Sequence, residues 1–189
     1  MLNTSLSIRL TAAAVACLGV FFSLTGCAPS FTDPDHRTPG TVKDDVLIKQ
    51  LAKKNLRLDL DHLPDERIRV SVFNGVVLLT GQISTPARKE RATKVIEDIE
   101  YVRAIQNELT TEDFRGVIGR QRDAFLSFKV NRSLNRNKRI DAKKFSVVID
   151  RATAYVMGLA TQFETEEMTD IVRDVRGIKK VVTIVEYTD

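Results

Sequence analysis

Val70-Ser-Val-Phe-Asn-Gly-Val-Val-Leu-Leu-Thr-Gly81 reads as two short strands joined by a two-residue turn. Ile68, Val70 and Val72 alternate with Arg69, Ser71 and Phe73, the period of a half-buried strand. Asn74-Gly75 then signals a tight hairpin, because both residues tolerate positive φ. A second strand runs from Val76 to Thr80 and ends at Gly81.

The pattern returns 77 residues later. Phe145, Val147 and Ile149 alternate with Ser146, Val148 and Asp150, and Thr153 to Met157 ends at Gly158. The second turn is Arg151-Ala152, which has no special tolerance of positive φ, so a different turn type is expected there.

Each hairpin is followed by a helical pattern. Ala92, Val95, Ile96 and Ile99 match the i, i+3, i+4, i+7 template, as do Met168, Ile171, Val172 and Val175. Ser84 and Thr85 before Pro86 make a helix start, and the acidic residues of Gln162 to Glu166 suit the opening turn of the other. Last strands follow, with Val102, Ile105, Asn107 and Leu109 matching Ile178, Val181, Thr183 and Val185. A helix also precedes each hairpin. Thr41 to Arg57 carries Val46, Leu47, Leu51 and Ala52, and Gly119 to Asn135 carries Ala124, Leu126, Val130 and Leu134 toward the sheet. The predicted fold is therefore α+β, two tandem α-β-β-α-β units, each a three-stranded sheet covered by two helices.

Ahead of the repeat, Arg9 and the apolar run Leu10 to Leu24 read as a secretory signal, too short for comfortable membrane spanning. The run closes on Leu24-Thr25-Gly26-Cys27. Residues 28–41, rich in Pro, Ser, Thr, Asp and Gly, read as a tether with little to bury. Of the 29 Lys and Arg only Arg9 leaves with the signal, against 25 Asp and Glu, so the mature chain is mildly basic. That is not the excess of a dedicated nucleic-acid binder. With Cys17 lost and Cys27 modified, no disulfide forms within one mature chain, so the core alone must hold the fold.

An enzyme needs a converging constellation of reactive groups. His36 sits in the tether and His62 in an Asp-rich loop. Glu97, Asp98, Glu164, Glu166 and Glu167 read as solvated helix faces. No phosphate loop, metal spacing or nucleophile motif is present, and no catalytic residue, cofactor or metal is expected. Gly116-Val-Ile-Gly119 fits a G-x-x-G pattern but lies in a linker of an exported chain.

The informative stretch is Arg122 to Lys144. Arg122, Phe125, Lys129, Arg132 and Arg136 fall at steps of three or four, on one helix face. Lys138, Arg139, Lys143 and Lys144 extend the charge. A basic face holding an aromatic suits an interfacial helix. Periodicity leaves core packing open for Phe125 and a solvated face open for its basic neighbours. The helix of the first unit has Lys43, Lys49, Lys53, Lys54 and Arg57, but also Asp44 and Asp45, and no aromatic.

Residues 70–81 with Val102-Arg-Ala-Ile-Gln-Asn107, and Ala154-Tyr-Val-Met-Gly158 with Arg176-Gly-Ile-Lys-Lys-Val-Val182, resemble BON domains. Leu-Thr-Gly-Cys27 resembles the lipobox of bacterial lipoproteins. Lipobox, tether and doubled unit together are similar to the dual-BON outer-membrane lipoproteins of the DolP type. That likeness implies a signal peptide over 1–26, a tether over 27–40, BON domain 1 over 41–111 and BON domain 2 over 112–189. It implies cleavage before Cys27, a diacylglyceryl group on its sulfur and an acyl chain such as palmitate on its nitrogen. Ala28 in place of Asp favours the outer membrane, facing the periplasm. It further implies binding of anionic phospholipid, phosphatidylglycerol in particular, through the first helix of the second domain, with Phe125 as the exposed aromatic. Phe128 either shares that role or faces the first domain. Envelope integrity and enrichment at division sites follow from the same resemblance. The competing readings are a protein-interaction module, which would use an edge strand such as the one near Ile178, and a peptidoglycan binder. The sequence departs from the family at Glu100-Tyr101, where a glycine is usual, and at the missing second Asn-Gly.

Overall fold

The computed structural model describes residues 37–60, 67–111 and 117–189. The expected signal, Cys27, His36 and His62 lie outside these. In chain order the elements are α1 (Pro39–Asp59), β1 (Arg67–Phe73), β2 (Val76–Gln82), α2 (Pro86–Glu97), β3 (Ala104–Thr110), α3 (Val117–Arg136), a 3-10 turn (Ala142–Lys144), β4 (Phe145–Asp150), β5 (Thr153–Ala160), α4 (Gln162–Arg173) and β6 (Lys180–Tyr187). This is the α-β-β-α-β order twice over.

Both sheets have the same topology. β2 lies in the middle, antiparallel to β1 and parallel to β3, and β5 stands likewise between β4 and β6. A hairpin gives the antiparallel pair, and a helical crossover gives the parallel one. The helices start where polar caps satisfy free amides. Thr38 accepts from Thr41 N with Pro39 in the first turn, so α1 begins two residues earlier than Thr41 and takes in the end of the expected tether. Thr85 caps α2, and Thr161 with Glu164 forms a capping box on α4.

Strand alternation sorts the side chains. Val70, Val77, Leu79 and Leu109 pack with Ile48, Ala52 and Leu56 of α1 and Ala92 and Ile96 of α2. Ile149, Ala154 and Val156 pack with Leu126, Val130, Leu134, Met168 and Val172. The opposite faces meet each other. Phe73 and Leu78 of the first sheet are buried with Tyr155 and Met157 of the second, flanked by Val148, Val182 and Ile184. The order of layers is helices, sheet, sheet, helices. Arg69 Nη1 donates to the Ile149 carbonyl at 3.0 Å across this seam, and the Arg103 guanidinium grips the Glu186 carboxylate with two bonds of 2.8 Å.

The fold departs from the sequence expectations at the second turn, at the starts of the last strands and at one residue of α3. The second turn is not of a different type. Arg151 and Ala152 hold φ of 52° and 58°, beside 51° and 72° for Asn74 and Gly75. The last strands begin at Ala104 and Lys180, two residues later than expected, because Tyr101 (φ 68°) and Gly177 (φ 115°) first reverse the chain. Tyr101 thus fills the usual glycine position with a strained non-glycine residue. Ala124 does not pack on the sheet. It is exposed, and Asp123 takes the buried place.

Candidate functional site

One residue, Asp123, accounts for both the conformation of the second turn and the exposure of Ala124. Asp123 sits on the inner face of α3, and its two oxygens accept from Arg151 N and Ala152 N, both at 3.1 Å. Asp45 does the same in the first domain, accepting from Asn74 N at 2.9 Å and Gly75 N at 2.8 Å. A carboxylate facing two adjacent amides favours the conformation in which both point the same way. Each first helix is thereby pinned to its hairpin and its rotation fixed. Sequence reasoning missed this pair, though both precede a buried aliphatic by three residues and repeat at an offset of 78.

With Asp123, Leu126, Val130 and Leu134 turned inward, the other side of α3 faces solvent. Phe125 is 63% exposed and Phe128 60% exposed. Arg122, Arg132 and Arg136 are exposed around them. Phe128 therefore does not face the first domain. Phe128, Asn131, Arg132, Asn135 and Arg136 line a shallow hollow on this surface. Lys129 is half-buried and its Nζ donates to the Arg176 carbonyl at 2.6 Å, with the Phe125 ring centroid 5.9 Å away. Gly177 lets Leu126 of α3 pack close to this loop, since a Cβ there would stand 2.7 Å from the Leu126 side chain.

The charge continuing past the helix is smaller than the sequence suggested. Lys138, Arg139 and Lys143 are exposed, but Lys144 is buried and its ammonium bonds both Glu164 oxygens at 2.9 and 3.1 Å. Burial pushes the Glu164 pKa up, but Lys144 and Thr161 outweigh it and hold the carboxyl below its ordinary value. Lys144 belongs to the fold and not to the exposed patch.

The BON domain family model matches residues 44–113 and 122–189. The chain belongs to the BON domain family. The outer membrane lipoprotein DolP of Haemophilus influenzae is similar to it, 27% identical over 91% of this chain and 94% of its own. A 21 kDa hemolysin of Actinobacillus pleuropneumoniae is 28% identical over 81% of this chain and 79% of its own. Among solved structures, CdsD of the Chlamydia trachomatis type III secretion system overlaps 70% of this chain and 90% of its own at 11% identity and a TM-score of 0.27. The Asp45 and Asp123 clamps thus each tie the first helix of a BON unit to its hairpin, and the Phe-Arg surface is the outer face of the second BON domain's first helix. Among the described residues, no group of His, Cys, Asp or Glu is arranged to hold a metal, and no helix is long and apolar enough to cross a membrane.

Proposed function

We propose that this BON protein is a non-catalytic lipoprotein, anchored by Cys27 to the periplasmic face of the outer membrane, whose helix α3 docks on anionic phospholipid. The observation that carries this is the solvent exposure of Phe125 and Phe128 among Arg122, Arg132 and Arg136. Large aromatics left in water on a basic helix face are suited to the acyl boundary, with guanidinium groups at the phosphates. Entry of one Phe ring contributes about 1.5–3 kcal/mol, and each nearby cation about 1 kcal/mol. Such a contact is weak alone, but the tether raises its effective concentration. Permanent attachment then rests with the lipid on Cys27, and α3 chooses where in the membrane the protein collects. Phosphatidylglycerol is the proposed headgroup, division sites the proposed place of enrichment, and support of envelope integrity the proposed consequence. Similarity over nearly the whole chain to a protein named as an outer membrane lipoprotein supports the anchor and the compartment.

The test is co-sedimentation with phosphatidylglycerol vesicles, phosphatidylcholine vesicles and isolated cell wall. Phe125→Glu is expected to weaken sedimentation with the anionic vesicles and to leave the fold intact, since the side chain is exposed. Unchanged binding by that variant removes α3 as the site. Preference for cell wall favours the peptidoglycan reading, and sedimentation with neither leaves protein partners.

A further inference from the structure

The geometry points to a second membrane-facing surface, on α1, that meets an anionic bilayer opposed to the one α3 occupies. The inward residues Asp45, Ile48, Ala52 and Leu56 correspond to Asp123, Leu126, Val130 and Leu134 at a constant offset of 78. On that register Leu47 stands where α3 has Phe125, Lys54 where it has Arg132, and Leu58 where it has Arg136. Leu47 is 47% exposed and Leu58 70% exposed, with Val46 exposed beside them. Lys43, Lys49, Lys53, Lys54 and Arg57 are all exposed, and none pairs with a described carboxylate. Of the two acids that weakened the basic reading of this helix in the sequence, Asp44 is half-exposed where α3 has Arg122 and is outnumbered by these five cations, whereas Asp45 is turned inward and held by two turn amides and by Arg37 at 2.7 Å. Asp45 adds no negative charge to the outer face.

Charge complementarity with lipid phosphates selects the partner, and the leucines supply the shallow apolar insertion that a basic interfacial helix uses. The layer order sets the direction. Helices lie outside two sheets that meet face to face, so α1 and α3 look away from each other and cannot lie flat on one plane. The protein is therefore a two-sided device that holds one bilayer through its anchor and α3 and captures a second through α1. The bridging role rests on the α3 reading; the α1 surface does not.

The test reconstitutes the full chain in fluorescent proteoliposomes and follows co-diffusion with protein-free vesicles of a second colour, made with or without phosphatidylglycerol. The wild type is expected to capture anionic vesicles and not neutral ones. Leu47→Glu with Lys54→Glu is expected to lower capture at least tenfold, with protein retention in the first vesicle unchanged. Phe125→Glu is expected to leave capture by α1 in place. No capture by the wild type, equal capture of neutral vesicles, or full capture by the double variant overturns the proposal. Loss of capture with Phe125→Glu alone overturns it too, and leaves the α3 reading standing.

Discussion

At Arg151-Ala152 two residues bearing side chains sit in the left-handed region, where glycine or asparagine would be at ease. That conformation costs each roughly 1 kcal/mol or more. The Asp123 carboxylate offsets this with two charge-assisted bonds to their amides, each contributing about 1.5–3 kcal/mol. Asp123→Ala is accordingly expected to destabilise the second domain by about 3 kcal/mol, read as a lower midpoint in urea unfolding. A loss below about 0.5 kcal/mol would mean that the turn holds itself. Neither Asp revealed this role in the sequence, because an acidic residue in the second turn of a helix looks the same whether it faces water or a neighbouring turn.

On the scale of elements, α3 carries the candidate site, and its registry was readable in part. The spacing of Arg122, Phe125, Arg132 and Arg136 put them on one face, and the structure leaves that face in solvent. The placing of Ala124 inward failed because Asp123 outcompetes a methyl group for the buried position once it has two amides to accept from. Lys129 fits the spacing but spends its ammonium on the Arg176 carbonyl. The electrostatic part of vesicle binding is therefore expected to come from Arg122, Arg132 and Arg136. Replacing those three with Gln should make binding to phosphatidylglycerol vesicles fall less steeply with salt than it does for the wild type. Titrating both proteins against phosphatidylglycerol vesicles over a salt series checks it; equal slopes would exclude these arginines.

For the whole molecule, the seam between sheets decides which way each helix layer looks. Its rim is closed by Glu186, held by Arg103 and by Asn74 Nδ2 at 2.8 Å. The hydrogen bonds from Arg103 hold the Glu186 carboxyl below its ordinary pKa, against a smaller opposing effect of burial. A depressed carboxyl stabilises the fold fully above its unfolded value, near 4.3, and loses that contribution as pH falls through the lower folded value. Both side chains are about half exposed, so the contribution is at most about 1 kcal/mol. The stability gap between wild type and Glu186→Gln is expected to be present at neutral pH and to close in the acid range below the ordinary glutamate pKa. Chemical denaturation at a series of pH values reads this directly, and a gap that persists at the acid end would sink the assignment.

The sequence by itself determined the repeat, the element order, the strand faces and the family. Period-2 and period-3.6 burial leaves a local signature in each stretch. Only the tertiary structure decided that the two helix-free sheet faces close on each other, that both turns share one conformation, and that α1 and α3 look in opposite directions. Leu78, Tyr155 and Met157 read as apolar strand residues whichever partner covers them. Which surface buries them depends on contacts between residues 70 or more positions apart in the chain, and these leave no period to read.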